Sequence, residues 1–256
     1  MATYVSVYNR TSWRAMVLSR SQMQQNAQYI YSYMHSKYNW TLNAVCGLLA
    51  NAEAESTINP SRPQNNAVNK QWWDSAPGRT GTAPNPTTTR YGFGLFQVTP
   101  WYAGPGTKRY NPYTLGNWAL GKGYTANYAN CGTIGGMDIQ LDWLIEAAAT
   151  HFNNPADDNR DQVKWYQDGR APFNAPTPTI YGASTETPER CAETFYWNLE
   201  RSGALDPGSR PNKARAWYEF LGGYEPEPPT PPTPPGPSPA TNPSNFIIVA
   251  KGVGLF

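Results

Sequence analysis

Between residues 225 and 243 the sequence reads "EPEPPTPPTPPGPSPATNP", ten prolines in nineteen positions. Proline fixes φ and carries no amide donor, so such a run joins neither a helix interior nor a central strand. Its resting form is an extended polyproline spacer, reaching roughly 60 Å at about 3.1 Å per residue. A core has to be assembled from what precedes it. In a chain of 256 residues that leaves enough length for one domain. The expected division is an N-terminal arm at 1–20, a folded domain at 21–223, a Pro-rich linker at 224–244 and an apolar segment at 245–256. That last segment, "FIIVAKGVGLF", is too short to cross a bilayer as a helix. It reads equally as a strand that docks onto a partner's sheet and as the first strand of a further domain.

Hydrophobic residues make up 39% and charged residues 15%, with ten Trp and seventeen Tyr. This profile suits a globular protein whose aromatic, amide-rich surface stacks on and hydrogen-bonds to sugars, although any one Trp is more readily read as core. A net charge of +2 without a Lys/Arg cluster argues against a nucleic-acid partner and is compatible with an anionic cell wall. The opening "MATYVSVYNRTSW" lacks a basic stretch followed by an apolar one, so synthesis in a cytoplasm is expected. Cys46, Cys131 and Cys191 are odd in number and widely spaced, fitting neither a disulfide framework nor a zinc site, and read as small buried residues. His35 and His151 stand in no metal-ligand pattern, so neither metal nor cofactor is expected. A Cys131–His151 nucleophilic pair has nothing in the sequence to orient it.

Helical spacing is clear in five places. Residues 21–38 place Met23, Ala27, Ile30, Tyr31 and Met34 on one stripe behind a Ser21 cap. A second helix starts near Asn39 or Thr41, carries Leu42, Val45, Cys46 and Leu49 inward, and is limited by Pro60. Residues 138–152 place Leu141, Leu144, Ile145, Ala148 and Phe152 inward, leaving Asp138, Asp142 and Glu146 as a solvated face. Thr187 and Pro188 open a helix that buries Cys191, Phe195 and Leu199, and a last helix spans about 212–221. Residues 60–90 form a loop longer than compact domains ordinarily carry, which points to function. Residues 153–186 read as mostly irregular. "RYGFGLFQVTPW" at 90–101 reads as a short strand or hairpin with glycines at points of close approach. The expected class is α+β: predominantly helical, with a small β-hairpin, then the linker and a short apolar strand.

With metals and activated nucleophiles set aside, carboxylates remain, and glycoside hydrolysis is chemistry that they perform unaided. The acid needs an apolar setting that keeps it protonated. "LLANAEAESTINPS" at 48–61 offers Glu53 and Glu55 near a helix end. At about 100° per residue Glu53 lies closer to the stripe of Leu42 and Leu49, but the helix is terminating and the wheel does not decide between them.

"QNAQYIYSYM", "WTLNAVCGLLANAEAESTINPS" and "RYGFGLFQVTPW" together resemble the phage tail lysozyme family, a branch of the lysozyme-like superfamily that includes goose-type lysozymes and lytic transglycosylases. The matching positions are Asn51, Glu55, Ser56, Asn59 and Pro60, then Tyr91, Gly92, Gly94, Leu95, Gln97, Thr99 and Pro100. Ala50, Ala52 and Val98 depart from the family pattern and bear on cleft shape. The resemblance implies that Glu55 is the catalytic carboxyl and that the hairpin lies across the cleft, with Tyr91, Gly94, Gln97 and Thr99 on the substrate side. Gln97 reads alternatively as a hydrogen bond closing the hairpin. Asp74 is the candidate second carboxylate, and Trp73 beside it a candidate sugar platform, as is Trp72.

What this implies is a tail-associated peptidoglycan hydrolase acting from the virion on the host cell wall during entry. It would cut the β-1,4 bond between N-acetylmuramic acid and N-acetylglucosamine, and be joined to other tail proteins through the C-terminal segment. The alternatives are a lytic transglycosylase giving 1,6-anhydro products and a non-catalytic wall-binding or structural module.

Overall fold

The helix that carries both glutamates is enclosed nearly all round. In the computed structural model, which describes residues 3–9, 12, 14–63, 92–98, 112–124, 133–148, 165–200 and 206–223, this helix is α2, Leu42–Ser56. Every residue from Ala44 to Ala52 is buried. Thr41 caps it, its side chain accepting from the Ala44 amide. Val45, Leu48 and Leu49 are wholly excluded from solvent, each contributing about 1.5–3 kcal/mol relative to an exposed side chain.

The other helices wrap this axis. Helix α1, Arg20–Tyr38, starts at a capping box formed by Ser19 and Gln22, two residues before the expected Ser21 cap. Its buried stripe of Ala27, Ile30, Tyr31 and Met34 packs into the core as its spacing predicts. Helices α3, Leu115–Gly121, and α4, Met137–Glu146, lie on one side. Helix α5, Pro178–Gly182, leads into α6, Pro188–Phe195, which continues as a π-helical turn, Tyr196–Glu200. Helix α7, Arg210–Leu221, closes the bundle against α2 and α6. The protein is predominantly helical.

The approach of α2 to α6 depends on Gly47. A Cβ there would lie 2.7 Å from the Cys191 carbonyl carbon and 2.8 Å from the Ala192 nitrogen, both backbone atoms. Around this contact Tyr181 sits in a ring cluster with Trp40, Trp165 and Phe195. Its hydroxyl donates to the Ala44 carbonyl at 2.9 Å, tying α5 to α2.

Several expectations are corrected. The helix expected over 138–152 ends at Glu146: the Ala148 amide bonds the Trp143 carbonyl at 3.1 Å, five residues back instead of four, which breaks the helical ladder. Asp142 is not solvated: it accepts from the Tyr33 and Tyr38 hydroxyls, each at 2.6 Å, and from Lys37 at 2.8 Å. The 153–186 region contains α5, opened by Thr177 and Pro178 in the same way that Thr187 and Pro188 open α6. Among the described residues the glycine-rich segment forms no strand. Phe93 bridges antiparallel to Val98 and to Pro63, while Gly94 at φ 81° and Gln97 at φ 46° are left-handed, which breaks strand geometry between the bridges. Cys46 and Cys191 are buried free thiols. Cys131, His151, Phe152, most of the long loop, the linker and the C-terminal segment lie outside the described residues. No helix among those described is long and apolar enough to cross a membrane.

Candidate functional site

The C-terminal end of α2 is shaped by an abrupt reversal. Thr57 and Ile58 both take left-handed backbone angles, φ 56° and 58°. Such a conformation costs a β-branched residue about 1–2 kcal/mol. The Ile58 amide reaches back to the Ala52 carbonyl at 3.1 Å, and the Ile58 side chain is fully buried, which offsets part of that cost. This reversal sends Asn59–Pro63 back along the helix end, where it meets the 92–98 ribbon.

Three motif residues around Glu55 act as ties. Asn51 donates to the Gly47 carbonyl at 2.8 Å and to the Ala192 carbonyl at 3.0 Å, joining α2 to α6. Ser56 donates to the Leu95 carbonyl at 3.0 Å, joining α2 to the ribbon. Asn59 donates to the Val7 and Met16 carbonyls, each at 2.8 Å, fastening the N-terminal arm. Gln140 of α4 completes the frame: it accepts from the Leu95 amide at 2.8 Å and donates to the Pro60 carbonyl at 2.6 Å. The sequence pattern marked Asn51, Ser56 and Asn59 without showing what they do, and gave no sign of Gln140, whose role depends on a contact between distant segments.

The two glutamates end in different surroundings. Glu53 accepts from Lys213 at 2.6 Å and from the Trp217 indole at 2.9 Å, and Arg20 stands 3.5 Å away. Glu55 accepts from the Arg210 guanidinium at 2.5 Å, with its side chain 24% exposed. Arg62 lies close enough to feel it: burial pulls the Arg62 guanidinium below its ordinary value, and the negative charge of Glu55 opposes that shift. The Glu55 carboxyl thus meets a guanidinium from α7 at the end of the helix.

On the ribbon, Gly94 is buried, its amide donating to the Arg62 carbonyl at 2.9 Å. A Cβ on it would strike the Gln140 carboxamide. The Gln97 side chain donates to the Arg62 carbonyl at 2.8 Å and to the Gly94 carbonyl at 3.0 Å, so its amide nitrogen helps to close the ribbon. Gly94 and Gln97 thus share the Arg62 carbonyl, in the segment that follows the end of α2. Trp73, Asp74, Tyr91 and Thr99 lie outside the described residues. Among the described residues no three of His, Cys, Asp and Glu gather as a metal site. Burial pushes the Cys191 thiol up to about 12 and raises Cys46 further, which disfavours the thiolate form at both.

A family model described as phage tail lysozyme matches residues 25–221, a span that takes in α2 with Asn51, Glu55 and Ser56 and the glycine ribbon bonded to it. The chain belongs to the phage tail lysozyme family. It is also 29% identical over 206 residues to morphogenesis protein 1 of Bacillus phage B103. That match covers 80% of this chain and 42% of the relative, so the chain spans about two-fifths of that protein's length. The chain is a phage-associated, lysozyme-like protein, and the family match runs from within α1 to the end of α7.

Proposed function

We propose that this phage tail lysozyme domain is a muramidase of the virion that opens the host cell wall during entry, with Glu55 as general acid. The observation that carries this reading is the position of Glu55 beside Ser56, whose hydroxyl fixes the Leu95 carbonyl at 3.0 Å, while Glu53 is taken up by Lys213 and Trp217.

In this reading a peptidoglycan strand lies between the helix end and the ribbon. Protonated Glu55 gives its proton to the glycosidic oxygen as the bond from that oxygen to the sugar's anomeric carbon breaks. Positive charge develops on the ring, water adds to the anomeric carbon, and the proton that water sheds returns to the Glu55 carboxylate. Asp74, Trp73, Tyr91 and Thr99 are proposed to complete the cleft from the loop and the ribbon flanks, Asp74 as the second carboxylate. Gln97 and Gly94 shape the ribbon from within. The C-terminal segment is proposed to join the domain to other tail proteins.

Mass spectrometry of sacculi digested by the wild type and by Glu55→Gln tests the reading. Hydrolysis predicts muropeptides with reducing N-acetylmuramic acid ends from the wild type and none from the variant. Products carrying 1,6-anhydro ends would instead establish transglycosylase chemistry at the same residue, and equal product from both proteins would remove Glu55 from the mechanism.

A further inference from the structure

Two wholly buried asparagines grip the N-terminal arm by its backbone. Asn26, on α1, accepts from the Val5 amide at 2.6 Å and donates to the Val5 carbonyl at 2.8 Å. Asn59, in the segment after α2, does the same two residues on: it accepts from the Val7 amide at 3.2 Å and donates to the Val7 carbonyl at 2.8 Å. In an extended chain the N–H and C=O of one residue point to the same edge, and those of the residue two places on repeat it. The two carboxamides therefore stand where a neighbouring strand would. Tyr4 adds an edge-on contact to Tyr29 of α1, with ring centres 4.8 Å apart. All these arm residues precede the span matched by the family model.

The same elements hold the reversal at the end of α2. Asn26 also donates to the Ile58 carbonyl at 2.8 Å, and Asn59 to the Met16 carbonyl at 2.8 Å. The Leu18 amide donates to the Thr57 hydroxyl at 3.1 Å. Thr57 and Ile58 are the two left-handed, β-branched residues, and such a conformation persists only where its surroundings over-determine it. Here α1 and the arm supply those surroundings. Glu55 and Ser56 stand immediately before the reversal. Arg62, whose carbonyl holds the Gly94 amide and the Gln97 side chain, stands just after it.

We propose that the N-terminal arm is a positioning strap: seated on Asn26 and Asn59, it keeps Thr57 and Ile58 in their left-handed turn and so sets Glu55 and the ribbon at the spacing that turnover needs. This rests on Glu55 being the acid. The strap touches neither the acid nor the sugar; it acts through the reversal. Because the grip is on N–H and C=O, it depends on the arm's backbone donors and not on its valine side chains. An arm that lifts away leaves both carboxamides without their strand and lets the strained turn relax, and a shift of about 1 Å at the acid costs about 10²-fold in rate.

The test compares, in the full chain, Val5→Pro with Val7→Pro as a double variant, Val5→Ala with Val7→Ala, Glu55→Gln and the wild type. Proline removes the two amide donors, whereas alanine keeps them and shortens only the side chains. The proline pair should turn over purified sacculi about 10²-fold more slowly per folded molecule, with the Ile58 and Gly94 amides exchanging about 10–10²-fold faster. The alanine pair should stay within about twofold of the wild type in both measurements. Wild-type turnover per folded molecule in the proline pair, or an equal loss in the alanine pair, would reduce the arm to a packing element and overturn the proposal. Activity in Glu55→Gln would overturn the catalytic reading on which it rests, and does so independently of the arm variants. Should the proline pair not fold, native-state hydrogen exchange of the unaltered chain in rising urea decides. Val5, Val7 and Ile58 amides opening together, with one free energy and one urea slope, support the strap; protection at Ile58 that outlasts the opening of Val5 and Val7 refutes it.

Discussion

Glu53 and Glu55 leave the same turn of α2 and have opposite fates. Glu53 is pinned between α1 and α7 by Lys213, Trp217 and Arg20, and the contact is tightened by Arg20 lying 4.0 Å above the Trp217 ring. Glu55 meets an arginine at the foot of α7 and neighbours Ser56 and Arg62, the residues that hold the ribbon. A carboxylate whose charge locks helices together is committed to stability. One that sits where a helix end meets a glycine-rich turn is, in the proposed function, placed for substrate. The contrast shows that residue type and proximity in sequence do not assign a role; the groups across the gap do.

The largest effect is expected where the frame of both glutamates is lost together. Gly47→Ala pushes a methyl group into the α6 backbone, and should lower stability by about 3 kcal/mol, roughly 6–12 °C in melting temperature. A variant that melts like the wild type would mean that α2 and α6 are not held at this distance. Glu53→Gln comes next. It removes the charge facing Lys213 and Trp217, and with 15% of the Glu53 side chain exposed the loss should be about 2 kcal/mol, read by thermal or urea unfolding. An unchanged midpoint would erase the distinction drawn between the two acids. Ser56→Ala is the smallest change. Losing the buried bond to Leu95 should cost about 1 kcal/mol and loosen the ribbon, seen as faster hydrogen exchange at Gly94 and Leu95; unaltered exchange would show that the ribbon is fixed without Ser56, by Gln140, the Arg62 carbonyl and the Phe93 bridges.

Much of the frame was legible in the sequence. The Thr187–Pro188 helix start and the α1 stripe follow from local rules, since a cap and a 3.6-residue period act within one turn. The choice between the glutamates was not legible by periodicity, because α2 is buried on nearly all sides and a helix without a polar face carries little phase information. The family motif chose Glu55, and the structure supplies a physical contrast between the two acids. What the sequence hid are contacts between distant segments: Asp142 beneath Tyr33 and Tyr38, Gln140 under the ribbon, and Arg210 against Glu55 across 155 positions. Of the expected hairpin, the described residues show two isolated antiparallel bridges and no strand, and two left-handed residues, Gly94 and Gln97, turn the ribbon between Phe93 and Val98.

The most direct measurement is turnover per folded molecule on purified sacculi for Glu55→Gln and Glu53→Gln, each paired with its melting curve. The account predicts that Glu55→Gln folds and loses about 10²–10⁴ in rate, while Glu53→Gln melts lower and keeps turning over within about tenfold of the wild type. Wall clearing by Glu55→Gln at the wild-type rate, or silence in a fully folded Glu53→Gln, would contradict it.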